Sequence, residues 1–177
     1  MKWLLAFLVF AVVGCIRSEA LVQPEVPEVV ELKLSSPAFL DGSSIPSKFT
    51  CDGSDVSPEL VIDGVPENAK SLVLIVDDPD APSKIWEHWT LFNIPPDTKV
   101  MREGSVPAGS VQLMNDFRRV EWGGPCPPPG KVHHYRCRLS ALDIVLSLGS
   151  SAKKSDVVAA MKGHVVAESV LVGAYRR

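Results

Sequence analysis

The sequence predicts a mostly β domain of the α+β class, built on antiparallel strands with one late helix. Three observations carry this expectation. The 177 residues include 15 Pro and 12 Gly, too many chain breakers for a helical bundle. The apolar segments are short, and they either alternate with period two or run unbroken, as half-buried and fully buried strands do. One stretch near the C-terminus carries helix-start chemistry.

The elements follow in chain order. Val30-Glu31-Leu32-Lys33-Leu34 alternates apolar and polar residues and reads as a half-buried strand. Asp41 to Pro46 is turn chemistry, and a short strand is expected over Lys48–Cys51. Ser71-Leu72-Val73-Leu74-Ile75-Val76 is continuous, largely β-branched and closed by Asp77, the pattern of a central strand covered on both faces. A second strand is expected from His88 to Ile94, stopped by Pro95-Pro96, and a third from Tyr135 to Leu142. Ser155 is placed to cap a helix through Asp156–Met161, with Asp156 in the first turn, where the helix dipole favours a carboxylate. Gly163 either ends that helix or is spanned by it, and Ser169 to Tyr175 reads as the last strand.

Composition narrows the class of function. A 46% hydrophobic and 22% charged chain is ordinary globular material, which excludes wholesale disorder, collagen-like repeats and a long coiled coil. Its length suits one domain. The net charge of −3, from 18 basic and 21 acidic side chains, provides no basic field, so nucleic acid is not an expected partner.

The first residues read as a targeting segment. Lys2 precedes an unbroken apolar run from Trp3 to Val13, shorter than the ~20 residues a membrane-spanning helix requires. Val12-Val13-Gly14-Cys15 resembles the bacterial lipobox. The expected organisation is a lipoprotein-type signal peptide over 1–14, an acidic Pro-containing tether over 15–28 and the domain over 29–177, with Cys15 lipidated and the protein extracytoplasmic at the cell membrane. Cleavage after Ala20, releasing a secreted or periplasmic protein, is the alternative.

Three segments concentrate chemistry. Asp77-Asp78-Pro79-Asp80-Ala81-Pro82 places three carboxylates in a stiff turn after the most hydrophobic strand. Glu87-His88-Trp89 enters a strand. In Trp122 to Tyr135, Gly123-Gly124 can bring backbone close to a ligand and expose N–H groups, and the Pro125 to Pro129 region must wall a loop. His133 and Tyr135 share one strand face, with His134 on the other, so that two donors beside a Gly-rich loop suit an anionic oxygen. Each also has a structural reading: a solvated acidic turn, a His packed on Trp, a rigid loop with buried polar residues.

These segments, in this order, resemble the phosphatidylethanolamine-binding protein family, in particular its bacterial and archaeal Raf kinase inhibitor-like branch. The likeness includes Phe39-Leu40-Asp41-Gly42, Ile45-Pro46, Phe49-Thr50-Cys51-Asp52-Gly53, Ser57-Pro58-Glu59-Leu60 and Gly64-Val65-Pro66. It continues with Asp78-Pro79-Asp80-Ala81-Pro82, His88-Trp89, Gly123-Gly124-Pro125-Cys126-Pro127-Pro128, His133, Tyr135, Gly163-His164-Val165 and Leu171 to Tyr175, spanning about Val29 to Arg177. The resemblance implies a central antiparallel sheet flanked by a smaller one and a small anion pocket at one end. By matching positions the ligand-binding residues would be Asp78, His88, Gly124, Pro127, His133 and Tyr135, with Asp80 beside them. Trp122 stands where relatives commonly carry Tyr, and Cys137 where the branch commonly carries Phe.

The function expected from these residues is non-catalytic binding of phosphate or phosphoethanolamine-type head groups, with modulation of a partner protein left open. Inhibition of a kinase or protease through surface loops, and a cryptic hydrolase, are the alternatives. No Gly-x-Ser-x-Gly, His-Glu-x-x-His or phosphate-cradling Gly-rich loop occurs, so no catalytic residue, metal or cofactor is expected. The expected partners are a small anionic or zwitterionic ligand and the membrane through the lipid anchor; an unknown protein and a homodimer stay open. In an oxidising compartment Cys51 and Cys126, both outside strand centres, are expected to pair, leaving Cys137 a core thiol. Three free thiols, or a Cys126–Cys137 pair, are the other arrangements.

Overall fold

The computed structural model describes residues 31–177. The expected signal peptide, Cys15 and the tether lie outside them. Two antiparallel sheets form the framework. The smaller joins β1 (Lys33–Ser35), β2 (Leu60–Asp63) and β5 (Val100–Met101) in the order β1-β2-β5. The larger joins β3 (Ser71–Asp78), β4 (Trp86–Ile94), β6 (Val111–Gln112), β7 (His133–Leu142) and β8 (Val165–Tyr175) in the order β6-β4-β3-β7-β8. One helix, α1 (Lys154–Ala160), precedes β8.

The larger sheet is covered on both faces, and this is why β3 reads as an unbroken apolar run. Leu72, Leu74 and Val76 face the small sheet in a core with Leu34, Ile62, Trp89, Leu91 and Leu139. Val73 and Ile75 face the other way, packing with Phe92, Leu142, Val157 and Met161 beneath α1. All eight residues of β3 are buried, including Asp77 and Asp78.

Three element expectations need correction. Lys48–Cys51 is not a strand: Ser47–Phe49 forms a 3-10 turn, with Phe49 N donating to Pro46 O and Thr50 N to Ser47 O at 3.0 Å. Pro46 presets the turn, and Thr50 Oγ1 locks it by donating to Ser47 O at 2.8 Å. The helix starts ahead of Ser155, with Lys153 at the cap, because Asp156 Oδ2 reaches back to accept from Lys153 N at 2.9 Å. Gly163, at φ +80°, ends the helical segment. The first ladder begins at Lys33, pairing Leu34 with Ile62, although Leu32 and Leu34 are buried in the expected alternation. The short strands β2, β5 and β6 carried no readable sequence signal.

Cys51 and Cys126 form a disulfide with Cα atoms 5.4 Å apart, and Cys137 is a buried free thiol whose pKa burial pushes up to about 12. The bridge spans 75 residues and ties the turn after Phe49 to the proline-rich loop. The double substitution Cys51→Ser/Cys126→Ser should cost about 4 kcal/mol of stability in the chain-entropy picture of loop closure. Urea unfolding with and without reductant checks this: the variant should match the reduced parent, and an unchanged midpoint would show that the bridge constrains nothing.

Candidate functional site

The site is built at the end of the larger sheet where β3 finishes and β4 and β7 begin. β3 and β7 pair without interruption up to Asp77 opposite Arg136. The face carrying Leu74 and Val76 therefore continues to Asp78, which meets the face of His133, Tyr135 and Cys137. β4 behaves differently. Its register with β3 steps from Val76↔Trp89 to Asp77↔Glu87, so His88 is an extra residue in β4. Such a bulge breaks the alternation. It puts His88 on the same side as Trp89, against Tyr135, with ring centroids 5.1 Å apart and edge to face.

The bulge also frees the His88 carbonyl. It accepts from Asn115 Nδ2 at 3.0 Å and from Gly123 N at 3.2 Å. Buried Asn115 gives its other side-chain bonds to the same loop: Nδ2 donates to Glu121 O, and Oδ1 accepts from Phe117 N and Arg119 N, all at 3.0 Å. The segment 115–123 is thereby folded onto β4, bringing Phe117 over the His88 ring at 5.3 Å.

A cavity of about 190 Å³ results, lined by Asp78, Ala81, Pro82, Trp86, His88, Phe117, Cys126, Pro127, Pro128 and His133. Both imidazoles are held at Nδ1. His88 Nδ1 donates to Gly123 O at 2.6 Å, and His133 Nδ1 donates to Asp78 Oδ2 at 2.8 Å. Neither Nε2 has a hydrogen-bond partner among the described residues, and each belongs to a ring that lines the cavity. Burial pushes the His88 pKa below its ordinary value, opposed by the Gly123 carbonyl and by Asp78. Two buried donors, Trp86 Nε1 and Tyr135 Oη, also have no partner among the described residues. Burial, reinforced by Asp78, pushes the Tyr135 hydroxyl pKa up, so it stays a neutral O–H.

The sequence-identified residues divide into groups. Asp78, His88, Pro127 and His133 line the cavity. Tyr135 lies beneath, packed on His88 in the core. Asp80 turns outward, where its carboxylate accepts from His134 N and Nδ1 at 2.9 and 2.7 Å; the His134 bond is the main reason its pKa is lowered.

Gly124 is outside the lining, and the expected exposed amides are engaged within the protein. Gly124 N donates to Asp55 Oδ1 at 2.7 Å, as Gly123 N does to His88 O. These glycines serve close packing instead: a Cβ on Gly124 would stand 2.5 Å from Phe49 O and 2.9 Å from Thr50 Cα. Trp122 is buried outside the cavity lining, its Nε1 donating to Phe49 O at 3.1 Å.

Sequence reasoning missed Trp86, Phe117, Ala81, Pro82, Cys126 and Pro128 as wall residues. Trp86 was findable, since it lies two residues before His88 on a strand, although the bulge weakens that rule. Phe117 had no sequence signal, because Asn115 places it through tertiary bonds. Among the described residues no group of three or more His, Cys, Asp or Glu side chains could hold a metal.

Comparison with known proteins agrees with this geometry. A family model described as phosphatidylethanolamine-binding protein matches residues 35–176. The chain is 54% identical over 151 residues to a UPF0098 protein of Methanothermobacter thermautotrophicus, covering 82% of this chain and 99% of the relative. It is 43% identical over 180 residues to one from Pyrococcus horikoshii, covering 98% and 87%. Among solved structures it is similar to CT736 of Chlamydia trachomatis, described as a phosphatidylethanolamine-binding protein homologue, with TM-score 0.79, 38% identity and coverage of 84% and 99%. It is also similar to E. coli YbcL, with TM-score 0.78, 31% identity and coverage of 83% and 99%.

The packing role of Gly124 is testable. Gly124→Ala should destabilise the fold by about 1–3 kcal/mol, the usual cost of an overpacked site. Thermal unfolding measures it. An unaffected melting temperature would mean that the loop can shift away from Phe49 without loss.

Proposed function

We propose, for a chain that belongs to the phosphatidylethanolamine-binding protein family, a non-catalytic binding role in which the cavity holds the phosphate or phosphoethanolamine end of a ligand. One observation carries the reading: two buried imidazoles, each fixed at Nδ1, line one small cavity and leave Nε2 for a ligand. The unpartnered N–H of Trp86, on the cavity wall, suits the same oxygen-rich guest. Binding is favoured over hydrolysis because the wall carries no Ser or Thr hydroxyl, its one cysteine, Cys126, is tied in the disulfide, and the Asp78 carboxylate is engaged by His133.

The tautomer decides how an anion would be held. The Gly123 carbonyl can only accept, so His88 Nδ1 carries a proton. A neutral ring then offers a lone pair at Nε2. It accepts from a protonated phosphate oxygen or, as imidazolium, donates to an ionised one. The donating route leaves one more proton in the complex than in the separated partners, and so does the accepting route when the phosphate end arrives fully ionised, as a phosphomonoester does at alkaline pH. The empty site holds His88 below its ordinary pKa, and a bound anion raises it. Proton uptake therefore accompanies binding, and affinity falls as pH rises through the imidazole range. Calorimetry of phosphoethanolamine binding at acidic and alkaline pH, in buffers of different ionisation enthalpy, measures both quantities; pH-independent affinity with no proton uptake would overturn the assignment.

Asp78 acts on the ligand through His133. Its Oδ2 accepts from His133 Nδ1, and its Oδ1 accepts from Asp80 N at 2.8 Å, so both oxygens are engaged in holding the ring and the turn. His133→Ala and Asp78→Asn should each weaken phosphate and phosphoethanolamine alike, by about 1.5–3 kcal/mol for a charge-assisted hydrogen bond. A loss confined to phosphoethanolamine in Asp78→Asn would instead assign Asp78 to the ammonium. Failure of the parent to bind either ligand at millimolar concentration would sink the head-group reading.

A further inference from the structure

We propose that the mouth of this cavity docks on an anionic lipid bilayer, with Ile85, Met114 and Val120 entering the interface and unpaired lysines facing the head groups. The inference rests on the head-group reading above and adds the surface from which the ligand is taken. Ile85, Met114 and Val120 are large apolar side chains left 49%, 60% and 52% exposed. They share a groove of about 660 Å³ with Lys84, Lys153 and Lys154. Scattered exposed apolar residues need no explanation, but a cluster rimmed by polar groups marks an interaction surface.

The groove and the cavity are neighbours. The segment 84–87 supplies Ile85 to the groove and Trp86 to the cavity wall. The loop 114–120 supplies Met114 and Val120 to the groove and Phe117 to the wall. The Trp86 and Phe117 rings, 5.4 Å apart and edge to face, are the cavity-side members of these two segments. Beyond the cavity, exposed Pro128, Lys131 and Val132 precede His133.

Charge favours a lipid occupant. The groove's own exposed carboxylate is matched, Asp116 by Lys84 at 2.6 Å, and Arg119 is shared between Asp55 and Glu121 at 3.3 and 3.4 Å. Glu87, also in the groove, is buried and accepts from Thr90 Oγ1 at 2.5 Å; burial raises its pKa toward the neutral form. Arg118, Lys131, Lys153 and Lys154 have no carboxylate partner among the described residues. Within the groove three lysines, Lys84, Lys153 and Lys154, stand against Asp116 and the buried Glu87, so the apolar tips sit in a rim with an excess of cations. A head group still attached to its lipid reaches a cavity only when the mouth faces the bilayer, and apolar tips among cations are what an anionic interface holds.

Vesicle sedimentation tests the proposal. Residues 31–177 serve as the protein, since the matched stretch constitutes 99% of the Methanothermobacter relative and so exists as a free-standing chain. The domain should pellet with vesicles of phosphatidylethanolamine and phosphatidylglycerol in equal parts, and less with phosphatidylcholine alone. Ile85→Glu/Met114→Glu should lower vesicle affinity about tenfold or more, from lost apolar insertion and added negative charge. Leu40→Glu, at an exposed apolar residue outside the groove, should leave it unchanged. A domain that ignores both vesicle types overturns the proposal in favour of a protein-facing surface, and a double variant that pellets like the parent overturns the choice of residues. Calorimetry with soluble phosphoethanolamine separates the two readings. The double variant should bind it like the parent; vesicle binding without soluble-ligand binding would reject the head-group pocket and leave the docking surface standing.

Discussion

The single extra residue in β4 opposite the end of β3 organises everything at this end of the molecule. In a regular strand His88 would alternate with Trp89 and point beneath α1. As the bulged residue it shares the side of Trp89 and reaches the cavity. Its carbonyl, released from the ladder, becomes the anchor for Asn115 and Gly123, while its Nδ1 binds the Gly123 carbonyl. One residue thus supplies a cavity-facing ring and three of the bonds that hang the cavity wall on the sheet.

The far side of the wall is held by different means. Prolines cannot donate, so Pro127, Pro128 and Pro129 leave that loop short of backbone bonds. Its fixed points are Gly124 N on Asp55, Cys51 N on Pro125 O, Gly130 N on Arg177 O and the Cys51–Cys126 bridge. Gly124 matters because here the loop lies against the backbone of Phe49 and Thr50, where no Cβ fits. Preorganisation of this kind lets a small cavity keep its shape without a ligand.

Buried charge is separated by the pleat. Asp77 and Asp78 are sequence neighbours on opposite faces of β3. Asp77 is neutralised by Arg136 at 2.8 Å and Arg138 at 3.0 Å from the neighbouring strand β7. Asp78 is left to His133 alone among side chains, on the face that opens into the cavity. The arginines make Asp77 a structural carboxylate, whereas the imidazole partner of Asp78 keeps a second nitrogen on a ring that lines the cavity.

How much of this was legible in the sequence follows the range of the interactions involved. The β class, the central strand Ser71–Val76, the shared face of His133 and Tyr135, and the pairing of Cys51 with Cys126 were all readable in advance. The first three rest on local period and turn chemistry. The disulfide rested on compartment and on the position of each thiol outside the strand centres. What lay beyond reach was the bulge that re-aims His88, the Asn115 bonds that deliver Phe117, and the engagement of the Gly123 and Gly124 amides within the protein. These are long-range matches of register and hydrogen bonding, and a period-two pattern is blind to one inserted residue. The residue types of the cavity were therefore written in the sequence, but the direction each side chain faces was decided only when β3, β4 and β7 paired.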